Sequence, residues 1–236
     1  MNIVNNTVVK NLTTATAVTS DGSAAPTGLS TAANSDPLQA RLSNTTLFPQ
    51  SSTLATTVFS KPTLFNNVFW DNRAGSFSGG FVYGISTTLP DGTPDTINNW
   101  DMGASDGSGL LAPTNSVMQT TTGITASPTN VITDTPGLAA PYDVTVNILA
   151  SRMYPAFRQA IIVAQILPPS LMGNYHLADA TSPARGRGAA STLVRWGPAP
   201  AGWNFTVNAP STDIDGQARG SLPARRYDAG SDQLIP

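Results

Sequence analysis

The chain has 236 residues, a net charge of -2 and no cysteine, and only 11% of its residues are charged, against about a quarter in ordinary globular domains. That balance excludes the clustered Lys and Arg that neutralise phosphates, so no nucleic-acid partner is expected. The missing cysteines exclude disulfides, thiolate zinc sites and cysteine nucleophiles together.

Hydrophobic residues make up 40% of the chain, enough for a core. No apolar run approaches the roughly 20 residues of a membrane span, so none is expected. The first residues lack the basic-then-apolar order of a signal peptide, so an extracellular protein would be a mature form or a piece of a longer chain. With charge so sparse, the polar surface comes from Ser, Thr, Asn and Gln. That composition suits a bacterial secreted or cell-surface protein.

In chain order, residues 2–12 open directly as a strand built around Asn5-Asn6, with no polar lead-in. Such a first strand exposes a row of unpaired backbone groups, so a preceding piece of a longer parent chain, or a protein partner, is expected to cover it. Residues 13–57 are rich in Thr, Ala and Ser, with Asp21-Gly22, Pro26-Thr27-Gly28 and Asp36-Pro37 as turn signals. They are expected to form a long loop excursion that buries little. Residues 58–74 contain Leu64-Phe65-Asn66-Asn67-Val68-Phe69-Trp70-Asp71-Asn72-Arg73, a second apolar run around an Asn-Asn pair. Asn is depleted in strands, so a pair repeated at the same place marks a corner that a coiled chain turns in each circuit. This is the pattern of a β-solenoid, in which each unit buries its inner face by stacking on the next. Asn5, Asn6, Asn66 and Asn67 are then expected to stack as an asparagine ladder.

From Gly79 to Val117 the chain reads as short strands and turns, and Asn98-Asn99-Trp100-Asp101 supplies a third Asn-Asn pair followed by Trp-Asp. Residues 142–149 alternate as a half-buried strand. Residues 157–167, β-branched and boxed by prolines, are also expected to be a strand. The tail carries Asn174-Tyr175-His176-Leu177, Ser182-Pro183-Ala184, Asp213-Ile214-Asp215-Gly216-Gln217-Ala218-Arg219 and Asp228-Ala229-Gly230-Ser231-Asp232.

That ordered set resembles the closing segment of bacterial surface proteins of the pectin-lyase-like family, and Asn66-Asn67-Val68-Phe69-Trp70-Asp71-Asn72 is similar to their final coils. The similarity covers residues 2–12 and 58–232, most weakly between 75 and 140. Two departures stand out: Arg185-Gly186-Arg187-Gly188 follows Ser-Pro-Ala where the family has an apolar residue and Asp-Ala-Gly, and Asp228-Ala229-Gly230-Ser231 stands where it has Asp-Ile-Gly-Ala. The resemblance implies an all-β fold, a right-handed parallel β-helix in which residues 1–236 form one domain with a C-terminal cap over 173–236. It does not imply one activity.

A lyase of that type needs a calcium-binding carboxylate cluster and a basic residue, for which Asp71, Asp101, Asp106 and Arg73 are the candidates. A glycosidase needs two facing carboxylates, and the chain has no Glu. No residue is therefore assigned a catalytic or cofactor-binding role. Asp213 and Asp215 alternate as in a calcium loop but lack its later Glu, so a tight turn is the preferred expectation for them. His176 is the only histidine, which excludes a copper or zinc site made of several imidazoles; a packed or surface side chain is expected. Three functions are open: a structural or adhesive domain that assembles through its N-terminal edge, a polysaccharide lyase or hydrolase acting on a glycan, or a non-catalytic accessory domain of a large secreted enzyme such as a multicopper oxidase.

Overall fold

The computed structural model describes residues 1–17, 19–44, 58–141, 173–196, 203–220 and 226–234. The two strands expected over 142–149 and 157–167 lie outside the described residues. Among the described residues the fold is mostly β, made of many short and mainly parallel pairings with one short helix.

The chain opens with β1 (Asn2–Val4), β2 (Thr7–Val9) and β3 (Leu12–Thr13). The stretch expected as a loop excursion carries β4 (Leu29–Thr31) and a helix, α1 (Asp36–Leu42), which has Pro in its first turn and buries no residue. Then come β5 (Thr63–Phe65), β6 (Val68–Trp70) and β7 (Arg73–Ala74). Each runs parallel beside its counterpart in the first segment: Asn2 opposite Thr63, Thr7 opposite Val68 and Leu12 opposite Arg73. One sequence offset, 61 residues, relates the hydrogen-bonded Asn pairs of the two segments. The two apolar runs noticed in the sequence therefore lie one upon the other in register.

A hairpin follows, β8 (Ser76–Ser78) against β9 (Phe81–Tyr83), turning at Gly79-Gly80. β10 (Met102–Ala104) lies parallel to β4, and β11 (Val117–Met118) and β12 (Val131–Ile132) extend the central sheet to the order β12-β11-β6-β2. Neighbouring residues on a strand face opposite sides. Phe69 and Met118 accordingly join a core with Leu64, Met102, Leu111 and Ile124, whereas Val68 and Val117 join a second core with Leu138, Leu177, Ala184 and Ala229. Burial on both faces is usual for parallel sheets and explains why Val68-Phe69-Trp70 reads as a continuous apolar run rather than an alternating one.

The second core is closed by the C-terminal part. β13 (Leu138–Ala140) pairs antiparallel with β14 (Asn174–Leu177), and β15 (Ser191–Trp196) forms a hairpin with β16 (Trp203–Asn208). The tail was expected as a cap. Its described residues run beside the paired segments, bonding to Asn5, Asn66 and Asn115 in three successive layers. It approaches so closely that a Cβ added at Gly230, where φ is +89°, would sit 2.8 Å from Thr7 Oγ1 and 2.9 Å from Val68 Cγ2. No helix among the described residues is long and apolar enough to cross a membrane.

Candidate functional site

The corners that join the strands carry the polar chemistry. Asn5, Asn66 and Asn115 adopt left-handed backbone with φ of 55°, 58° and 49°, a conformation that Asn tolerates better than other residues with a Cβ. Asn66 is fully buried; its Nδ2 donates to Asn5 Oδ1 at 3.1 Å and to the Ala189 carbonyl at 2.7 Å, and its Oδ1 accepts the Ala189 N–H at 2.8 Å.

One residue further on, a second row runs through the layers. The Asn6 N–H donates to Asn67 Oδ1, the Asn67 N–H to Ser116 Oγ, and the Ser116 N–H to Asn130 Oδ1, at 2.9, 3.0 and 3.1 Å. A third row links Asn11 Nδ2 to Asn72 Oδ1 and Asn72 Nδ2 to Asp101 Oδ1, each at 2.9 Å. Asn5, Asn6, Asn66 and Asn67 thus stack pairwise. The third Asn-Asn pair of the sequence does not join them: Asn98 Nδ2 donates to the Ala74 carbonyl, and the places above Asn66 and Asn67 are taken by Asn115 and Ser116. Their signal was weak in the sequence because Ser stands where the other layers have Asn.

The carboxylates considered for lyase chemistry are each engaged locally. Arg73 grips Asp71 with Nε and Nη2 at 2.5 and 2.8 Å, beside Lys10 and Trp70. Asp106 accepts the N–H groups of Ala33 and Ser108. Asp101 is 1% exposed and accepts from Asn72 Nδ2 and from the N–H groups of Gln119 and Thr120.

Burial pushes the Asp101 carboxyl above its ordinary 3.8, with nearby Asp71 adding to the rise and those three hydrogen bonds opposing it. Asp228 is raised from 3.8 for the same primary reason, burial, opposed chiefly by the N–H groups of Gly186 and Leu234. A carboxyl whose folded pKa is raised holds its proton better in the folded state, so its contribution to stability falls as pH rises from 3.8 through the folded value. The exposed Asp21, Asp91 and Asp179 are lowered from 3.8, by bonds from Ser23, Thr93 and Thr181 respectively, and lose their contribution as pH falls below it. Thermal unfolding is therefore expected to show its highest midpoint near about pH 4, with a decline above it. Asp101→Asn should flatten that decline; a midpoint rising steadily to neutrality would contradict the assignment.

The tail is organised by Arg219, 4% exposed, whose guanidinium donates to the carbonyls of Thr212, Asp228, Gly230, Ser231 and Asp232. The Asp228 carboxylate accepts from the N–H groups of Gly186 and Leu234 and from Gln233 Nε2. The two residues weighed as calcium ligands have different surroundings. Asp213 accepts the N–H groups of Asp215, Gln217 and Gln233, which makes it the centre of a turn. Asp215 instead faces His176, with Nε2 2.8 Å from Oδ2. Asp232, which the sequence did not single out as a ligand, lies with them: one ligand atom from each of His176, Asp215 and Asp232 falls within 4.8 Å of the others.

No family model, no curated protein and no solved structure matches this chain.

Proposed function

We propose that the chain is a structural domain of a secreted or cell-surface bacterial protein, a right-handed parallel β-helix that assembles through its N-terminal edge. The observation that carries this reading is the one-sided first layer. Among the described residues, β1, β2 and β3 each pair with one strand only, on the side of the second layer. On their other side the layer repeats the polar grammar of the next: Asn67 Oδ1 and Asn72 Oδ1 receive bonds from Asn6 and Asn11, while no donor among the described residues reaches the Oδ1 atoms of Asn6 and Asn11 themselves. Ile3, Val8 and Leu12, the inward-facing apolar residues of this layer, are only partly buried. Such an edge is a template for a further parallel strand bearing its own Asn corner. That strand would come from a partner subunit or from a longer parent chain.

Light scattering with small-angle X-ray scattering over a concentration series tests the reading. Growth with concentration is expected, and Asn2→Lys together with Asn11→Lys should suppress it by placing charge on the edge. A monodisperse monomer at every concentration would overturn it, and glycan-binding and lyase assays would follow.

A further inference from the structure

We propose that His176, Asp215 and Asp232 bind a divalent transition-metal ion of the zinc, cobalt or manganese class. The argument starts from the imidazole's two nitrogens. Asn174 Oδ1 accepts the backbone N–H of His176 at 3.1 Å, which fixes which end of that amide is oxygen, and the same oxygen lies 2.5 Å from His176 Nδ1. An amide oxygen only accepts, so Nδ1 carries a hydrogen. This is the usual support of a metal-binding histidine: one nitrogen held by an acceptor, the other left with its lone pair outward.

Here that lone pair points at a carboxylate. Nε2 and Asp215 Oδ2, both electron-rich when the imidazole is neutral, stand 2.8 Å apart. Such a contact needs a positive charge, supplied either by a second proton on the ring or by a cation. Asp232 favours the cation. It is 5% exposed, its Oδ2 is held by the Leu177 N–H at 2.8 Å, and its Oδ1 meets no hydrogen bond among the described residues. Asp232 thus adds a second carboxylate within 4.8 Å of the imidazole nitrogen, one that is also attracted to Arg219.

The spacing also suits an ion. Adjacent ligands on a metal with bonds of about 2.1 Å lie roughly 3 Å apart, close to the Nε2–Oδ2 separation. One nitrogen and two carboxylate oxygens suit zinc and its neighbours, whereas calcium takes oxygen alone. The ligands come from three segments, namely β14, the 213–216 turn and the 230–234 tail. A bound ion would therefore fasten the flanking tail to itself independently of the Arg219 bonds.

Because His176 is the only histidine, the imidazole proton signals of the untagged chain report on this site alone. Titrating that chain with zinc chloride should shift those signals with one-to-one stoichiometry. Cobalt chloride should give visible d–d absorption, and calcium chloride should do neither. Asp215→Asn and Asp232→Asn should each weaken zinc binding at least roughly tenfold, and Asn174→Ala by roughly 10–100-fold as for other outer-shell partners. Imidazole signals that ignore equimolar zinc in the wild-type chain, or that shift identically in both Asp variants, would overturn the proposal and leave a His–Asp ion pair.

Discussion

Asn66→Ala is expected to cost about 4 kcal/mol of unfolding free energy, among the largest effects of any single substitution in this chain. The side chain has no exposed surface and three buried hydrogen bonds. Its removal leaves Asn5 Oδ1 and both backbone groups of Ala189 without those partners, and a buried orphan costs roughly 1–3 kcal/mol. Ala must also hold a backbone φ of 58°, which is unfavourable for a residue with a Cβ and no polar side chain. Asn66→Gly relieves only the backbone part and should recover about 1 kcal/mol. Asn66→Asp should be as damaging as Ala, because a second oxygen then faces Asn5 Oδ1 and the Ala189 carbonyl. Urea denaturation of the three variants checks the order. A cost for Asn66→Ala below about 1 kcal/mol would mean that this corner is held by packing and not by its amide bonds.

Arg219→Ala should cost about 3–5 kcal/mol, the range for removing one partner of a buried charge network. Five carbonyls lose a donor at once, and those of Thr212 and Asp232 are left without the Asn5 or Ile214 bonds that the other three keep. The carboxylates of Asp213, Asp228 and Asp232 also lose the cation that faces them; their attraction opposes the effect of burial, which by itself lowers the Arg219 pKa. Arg219→Lys keeps the charge without the planar fork, so it should fall between wild type and Ala. The loss should appear first in the tail, as proteolysis and amide exchange over residues 209–234, because the layers beneath retain their own pairings. Their outer core would nevertheless be uncovered, since Ala229 packs in the cluster that buries Val68 and Val117. An Arg219→Lys variant as stable as wild type would show that charge alone suffices.

Why these two sites matter was unequally visible beforehand. Asn66-Asn67 announced itself, because a polar pair inside an apolar run has no role in an ordinary strand and the same pair recurs at Asn5-Asn6. Arg219 stood in a recognisable tail motif, but nothing in its neighbours said that it would be buried or that its partners would be carbonyls. Asp213 and Asp215 drew attention through their spacing, yet spacing placed them in one site and the fold gave them separate tasks. His176 and Asp232 lie 56 positions apart by number in sequence, and no local pattern connects them. The flank position of the tail was hidden for a similar reason: its contacts to Asn5 and Thr7 span well over 200 residues.

What the sequence determined by itself is local and periodic. It includes the β class, the two matching apolar runs, the Asn corners and the turn glycines, all set by short-range backbone preference and by the need to bury alternating faces. What only the tertiary structure decided is which distant groups share a dielectric and a hydrogen bond. The 61-residue register that aligns Asn66 with Asn5, the burial of Asp101 and Arg219, and the meeting of His176 with Asp215 and Asp232 all depend on chain crossings that carry no local energetic signature, because such contacts arise from packing between segments remote in sequence.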